Sequence, residues 1–156
     1  MKIDIPGWKR LELSHLVLDL NGTLSTDGIL LAGVEERLRV LSERLSVLIL
    51  TADTRGKGES ISQQLGVPWR KLQGSLPEPE EKEAVARELG ADRVAAVGNG
   101  RNDRLMLGSA AVGIAVLGQE GLATSALSAA DIVTRDICDA LDLLVYPKRL
   151  VASLRC

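Results

Sequence analysis

Short apolar runs, spaced by amphipathic stretches, constrain this chain more than any other feature. Residues 16–20 (LVLDL), 47–50 (VLIL), 94–97 (VAAV) and 112–116 (VGIAV) are strand-length, and a weaker run follows at 132–133. Runs of this length without polar alternation mark strands buried on both faces. Helical patterns lie between them. Residues 34–45 place Val34, Leu38, Leu41 and Leu45 on one face. Residues 58–65 stop at Gly66 and Pro68, and residues 79–89 open on Pro79 and stop at Gly90. Residues 102–110 and 137–144 follow. Strands alternating with helices give right-handed crossovers, so the expected class is α/β: a three-layer, doubly wound, Rossmann-like parallel sheet.

Upstream, Ile3 and Ile5 share a face, Pro6-Gly7 turns, and Leu11 and Leu13 share a face. This predicts an N-terminal β-hairpin over residues 1–13, appended to the sheet. A length of 156 residues suits one domain with one core. The only linker-like segment is 73–79.

Composition excludes several functions. Aromatics are 2% with no Phe, so base-stacking platforms are scarce, and a net charge of −2 argues against a polyanionic partner. No nucleic acid is therefore expected. The longest uncharged stretch, residues 105–119, is too short to span a membrane and contains Gly108 and Gly113. Asp4, Pro6, Lys9 and Arg10 leave no apolar leader in the first ten residues. Cys138 and Cys156 read as free thiols of a reducing compartment, so the expected location is cytoplasmic.

Ligands of such sheets bind beyond the carboxyl ends of the strands. Polar residues cluster there: Asp19 and Asn21 after the first run, Thr51 and Asp53 after the second, Asn99, Asn102 and Asp103 after the third. An acid one step past a buried strand must be solvated, paired or bound to metal. Gly22 permits a sharp turn with backbone N–H groups facing an anion, although a plain Asx-turn accounts for the same residues. An EF-hand fails, because Leu24 and Leu30 stand where Gly and Glu are required. Lys82 is a cation among Glu80, Glu81 and Glu83 near a helix start, where cations are mildly unfavourable. This points to an anionic partner or to a solvated lysine in an acidic patch. The segment 98–103 (GNGRND) has Asp103 where a dinucleotide fingerprint needs its third glycine. Helix capping is the simpler role for Asn102 and Asp103. One histidine, His15, lies before the first core strand, which leaves serine-type hydrolysis and zinc without residues.

Taken in order, these motifs resemble the haloacid dehalogenase superfamily, and within it the phosphorylation domain of P-type ATPases in a soluble, stand-alone form. Residues 16–23 are similar to its nucleophile motif and 48–51 to its second motif. Residues 77–89 are similar to its lysine segment, 97–107 (VGNGRNDRLML) to its acidic metal motif, and 112–116 with 129–134 to its closing strand pair. The resemblance covers roughly residues 14–146, and four ordered motifs are far more specific than any one.

The resemblance implies a Mg²⁺-dependent phosphatase or phosphotransferase with Asp19 as nucleophile, forming an aspartyl-phosphate. It implies Mg²⁺ held by Asp19, Asn21 through its main-chain carbonyl, Asn99 and Asp103. It implies phosphate held by Gly22, Thr51, Lys82 and Asn102. Catalytic roles fall to Asp19, Asn21, Thr51 and Lys82. Two residues depart from the family. Asn21 stands where the phosphatases carry an acid/base Asp, and Asn99 stands where the metal motif carries its first acid. General acid/base catalysis contributes about 10²–10⁴-fold, so slow hydrolysis is expected.

The gap between Thr23 and Val34 fits only a small flap, turning at Asp27-Gly28. The fold is therefore capless, with an open site for a phosphorylated small molecule or phosphoprotein. Ser25-Thr26-Asp27-Gly28 also suggests a capless, tetrameric sugar-phosphate phosphatase, which leaves a homo-oligomer open. The two Asn departures suggest a third reading, a weakly catalytic phosphate or metal binder that regulates a partner.

Overall fold

In the computed structural model, which describes residues Met1–Cys156, each expected core run is a strand. They are β3 (His15–Leu18), β6 (Ser46–Thr51), β8 (Val94–Gly98), β9 (Val112–Val116) and β10 (Ile132–Thr134). With β7 (Trp69–Lys71) they form a six-stranded parallel sheet in the order β10-β9-β8-β3-β6-β7. The burial of β8 and β9 is complete along their length, as a sheet covered on both faces requires.

The helices cover the two faces. They are α1 (Val34–Ser42), α2 (Gly58–Leu65), α3 (Glu78–Glu88), α4 (Arg104–Ser109), α5 (Thr124–Ala129), α6 (Ile137–Val145) and α7 (Pro147–Leu154). One core cluster joins Leu16, Leu18, Ile49, Val97 and Ile114 to Val34, Leu38 and Leu41 of α1 and Leu141 and Leu144 of α6. The second lies on the other face, where Val17, Leu50 and Ala96 meet Val85 and Ala86 of α3 and Met106 and Leu107 of α4. The alternation of Leu16, Val17 and Leu18 between the two clusters is the two-residue period of a strand.

Two expectations need correction. The hairpin β1 (Lys2–Asp4) with β2 (Arg10–Glu12) exists, but as its own two-stranded antiparallel sheet, not as an extension of the main one. The strand it leads into, β3, is paired by β6 and β8 along both edges, so no edge is free. Ile3, Ile5, Leu11 and Leu13 are instead buried in the larger core. The expected helix over 102–110 is split into a 3₁₀ turn, Arg101–Asp103, and α4.

The flap expected after Thr23 is present. Strands β4 (Ser25–Thr26) and β5 (Ile29–Leu30) pair antiparallel around Asp27-Gly28. Both turn residues have positive φ, 52° and 78°, as a two-residue I′ hairpin turn demands.

Strand order places the site. From β3 the chain proceeds through β6 to β7, then crosses back to β8 on the other side of β3. The crevice of such a sheet opens where this direction reverses, beyond the ends of β3 and β8. Asp19 and Asn99 are the residues that follow those two strands.

Candidate active site

Asp19 is fixed first by its backbone, whose N–H donates to Val97 O at 3.0 Å and so continues the β3–β8 ladder. The residue is 4% exposed at the head of the crevice. Two other elements reach the same point. Lys82, in the second turn of α3, has no exposed surface. Its Nζ donates to Asp19 Oδ1 at 2.6 Å and to Asp103 Oδ1 at 2.7 Å. Asp103 is also fully buried, and its Oδ2 accepts the N–H groups of Asn99 at 3.0 Å and Gly100 at 2.8 Å.

That last pair of bonds accounts for the 3₁₀ turn. The carboxylate reaches back to cap the turn that carries it. Gly98 makes this fit, because a Cβ there would stand 2.5 Å from the Asp103 carboxylate carbon.

Two carboxylates around one ammonium leave one net negative charge in a buried site. Burial raises the Asp19 pKa most, the Asp103 charge raises it further, and Lys82 only partly opposes them. The result is about 7 against an ordinary 3.8. Burial alone would lower the Lys82 pKa, but Asp19 and Asp103 together hold it above its usual value.

Thr51 ends β6, one strand from Asp19, and is 1% exposed. Its Oγ1 accepts the Asp53 N–H at 2.9 Å, and its own proton has no protein acceptor. Asp53 is held in a left-handed conformation, φ 56°, while its Oδ1 accepts the N–H of Gly58 at 2.7 Å at the start of α2. The Thr51 hydroxyl is therefore fixed in position with a donor to offer.

Sequence reasoning passed over Thr23, which is fully buried. Its Oγ1 lies 3.2 Å from both Asp19 Oδ2 and Asn99 Oδ1. One hydroxyl carries one proton, so one of these two oxygens lacks a donor. Thr23 closes the segment that resembles the nucleophile motif, but its role was not legible, because its partner Asn99 is 76 residues away.

The other expected residues surround this centre, not all in their expected roles. The N–H of Gly22 does not face open space. It donates to Ser25 O at 2.8 Å, because the flap folds back on it. Gly22 has φ 83°, and a Cβ there would meet the Asn99 amide at 2.5 Å. Its visible role is close approach of the chain to Asn99 rather than anion contact. The Asn102 amide donates to Glu78 Oε1 at 2.7 Å, which ties the 3₁₀ turn to α3. Asn99 Nδ2 donates to Gly121 O at 3.1 Å, leaving Oδ1 to the Thr23 hydroxyl, which also reaches Asp19. The amide oxygen of Asn21 is buried without a hydrogen-bond partner.

The donor set fits a hard divalent cation. Asp19 Oδ2 and Asn99 Oδ1 converge with too few protons between them, and Asp103 Oδ1 retains a lone pair beyond its bond to Lys82. No group of three His, Cys, Asp or Glu converges anywhere in the structure. A metal here would use two carboxylates and amide or carbonyl oxygens, with water and phosphate completing the shell, as Mg²⁺ commonly does.

No protein-family model matches the chain. It is 44% identical over 73 residues to the uncharacterized protein MJ0073 of Methanocaldococcus jannaschii, a match covering 47% of this chain and 78% of that one. Among solved structures, 3-deoxy-D-manno-octulosonate 8-phosphate phosphatase from Moraxella catarrhalis, in complex with magnesium, phosphate and KDO, superposes with a TM-score of 0.71. That match has 15% identity over 92% of this chain and 94% of the other. A zinc-transporting PIB-type ATPase in its E2.Pi state gives a TM-score of 0.63 at 28% identity. It covers 80% of this chain but only 20% of the pump. No helix of this chain is long and apolar enough to cross a membrane.

Proposed function

We propose that this relative of MJ0073, which shares the fold of haloacid dehalogenase-type phosphatases, is a member of that superfamily and a Mg²⁺-dependent phosphohydrolase working through an aspartyl-phosphate on Asp19. The observation that carries this reading is the buried Lys82 ammonium bridging Asp19 and Asp103. A structural ion pair needs one carboxylate. A second carboxylate, a hydroxyl with an unspent proton at Thr51 and a shortage of donors at Thr23 describe a place built to take in another charged group.

In the first step a carboxylate oxygen of Asp19 attacks phosphorus and the ester or acyl oxygen of the substrate leaves. Lys82 and Thr51 hold the phosphoryl oxygens and offset their charge. When bound, Mg²⁺ would neutralise the phosphate and Asp19 together, held by Asp19, Asp103, the Asn99 amide oxygen and the Asn21 carbonyl. In the second step water attacks phosphorus and restores the Asp19 carboxylate. Asn21 cannot exchange a proton at useful pKa, so the leaving oxygen and the incoming water lack a general acid/base, and turnover is slow. The substrate is a phosphorylated small molecule or an exposed phosphoryl group on a protein, since no cap covers the crevice.

The test is Mg²⁺-dependent phosphate release from acetyl phosphate and p-nitrophenyl phosphate. Wild type should release phosphate and Asp19→Asn should not. Equal rates in the two proteins would sink the reading. A beryllofluoride adduct on Asp19 without turnover of any phosphate would instead favour a regulatory binder.

Two observations favour a second reading, a capless sugar-phosphate phosphatase. The β4–β5 flap is present, and the octulosonate 8-phosphate phosphatase matches nearly the whole of both chains. A tetrameric mass in solution with preference for sugar phosphates would select it. A monomeric mass would reject it.

A further inference from the structure

Three loops rim the crevice, and each also holds a site residue. The flap begins at Thr23, whose hydroxyl touches Asp19. The loop after β6 carries Asp53, which fixes the Thr51 hydroxyl. The loop after β9 carries Gly121, which accepts the Asn99 amide, and Ala123, whose N–H donates to Asn99 O. One side chain, Arg55, ties all three together. Its Nη1 lies 3.3 Å from Asp27 at the flap tip, and its Nη2 lies 3.5 Å from Glu120 on the third loop. Glu120 in turn accepts the Asp27 N–H at 3.0 Å. Gly28 of the turn lies over the aliphatic stems of Lys57 and Arg55.

This arrangement has no role in the fold's stability that its position would account for. The Asp27 side chain is 78% exposed, that of Arg55 41% and that of Glu120 28%, so the pair with Asp27 is solvated and weak and the pair with Glu120 is partly solvated. Neither residue belongs to a core cluster. What the contacts do is hold the tip of the excursion from Thr23 to Leu31 against the other two walls of the site.

We propose that Arg55 is a positioning residue that sets substrate specificity: with Asp27 and Glu120 it latches the flap over the mouth of the crevice and so limits the bulk of the leaving group that can stand outside Asp19. A chain without a cap domain has no other element to perform this selection. A latch of solvated and partly solvated ion pairs suits the task, because it opens and closes at little cost. Of the substrates that a capless site could take, it favours those with a small group on the phosphate, such as an acyl phosphate, over aryl esters and phosphoproteins. The specificity part rests on the phosphohydrolase reading; the latch itself does not.

The experiment compares wild type, Arg55→Ala and Arg55→Lys by amide hydrogen exchange and by kinetics. In the metal-free proteins the Asp27 amide and its turn neighbours should exchange on the order of fivefold faster in Arg55→Ala. Arg55→Lys should fall between, because an ammonium cannot fork to two carboxylates as a guanidinium does. Raising NaCl should speed exchange in wild type toward the Arg55→Ala rate and leave Arg55→Ala unchanged. In Arg55→Ala, kcat/KM for p-nitrophenyl phosphate should rise several-fold relative to that for acetyl phosphate. Unchanged flap exchange in Arg55→Ala would overturn the latch. Faster exchange with an unaltered ratio of the two kcat/KM values would overturn the specificity role. If wild type hydrolyses neither compound, the phosphohydrolase reading and the specificity role fall together, and exchange still decides the latch.

Discussion

The ammonium of Lys82 lies 2.6 Å from the Asp19 carboxylate, and Lys82 has no exposed surface at all. A charged lysine is held at that depth by the carboxylates that meet it, and removing it strands both of its partners. Lys82→Ala should therefore destabilise the protein by about 3–5 kcal/mol, the usual cost of breaking a buried pair from one side. Asp103→Asn in the Lys82→Ala background should recover part of that loss, since one stranded charge is gone. Urea denaturation of the single and double variants checks both statements. A double variant less stable than Lys82→Ala would show that Asp103 is held mainly by the N–H groups of Asn99 and Gly100.

Asn21 offers a gain of function. Its amide oxygen is buried without a donor. A carboxylate oxygen put there by Asn21→Asp would find no hydrogen bond to favour its ionised form, so its pKa should rise and it should carry a proton. Once that proton has gone to the leaving oxygen, the carboxylate left behind is the base toward water that breakdown of the aspartyl-phosphate lacks. Asn21→Asp should speed dephosphorylation by at least about tenfold, below even the low end of a typical general acid's contribution. Rapid quench with labelled acetyl phosphate should show less phospho-enzyme at steady state and faster phosphate release.

The sheet was legible because its strands are buried on both faces, and few elements other than such strands produce short, unbroken apolar runs. The edge strand β7 was not, because Trp69-Arg70-Lys71 is half solvated and reads as loop. Helix α7 carried a signal at Pro147, a helix-opening position, but it begins one residue after α6 closes and the two merge in sequence. In the site, Asp19, Thr51, Lys82 and Asp103 were visible from strand ends and motif order. The roles of Thr23, Arg55 and Glu120 were hidden, because each depends on a partner in a different loop. The role of Gly22 differs from expectation for the same reason: its N–H faces Ser25 of a flap whose path depends on tertiary contacts.

The raised pKa of Asp19 has a sign that can be tested in metal-free protein. Its folded value, about 7, lies above the ordinary 3.8 because burial and Asp103 disfavour the charged form. Between those values the folded chain holds a proton that the unfolded chain has lost. The stabilisation this represents is complete below the unfolded value and is gone once pH has climbed through about 7. An asparagine at this position has no proton to lose. With EDTA present, the Tm advantage of Asp19→Asn over wild type should widen as pH rises from about 5 to about 8. A gap that stays flat or narrows would show that Lys82 outweighs burial at Asp19.

Asn99, as a ligand in the proposed metal set, gives a test of how strongly the site asks for a cation. Its Oδ1 shares the Thr23 proton with Asp19, and its N–H groups are already committed to Asp103 and Gly121. Asn99→Asp would place a third carboxylate beside Asp19 and Asp103 while losing the donor to Gly121. Without metal, three acids around one ammonium repel one another, so the variant should unfold at lower temperature than wild type. With Mg²⁺, the same charge becomes a ligand. If it tightens binding tenfold, saturating metal restores about 1.4 kcal/mol more stability to the variant than to wild type. Thermal melts at increasing Mg²⁺ concentration measure this directly. The Asn99→Asp curve should start below wild type and rise more steeply. Parallel curves would mean that residue 99 does not face the metal.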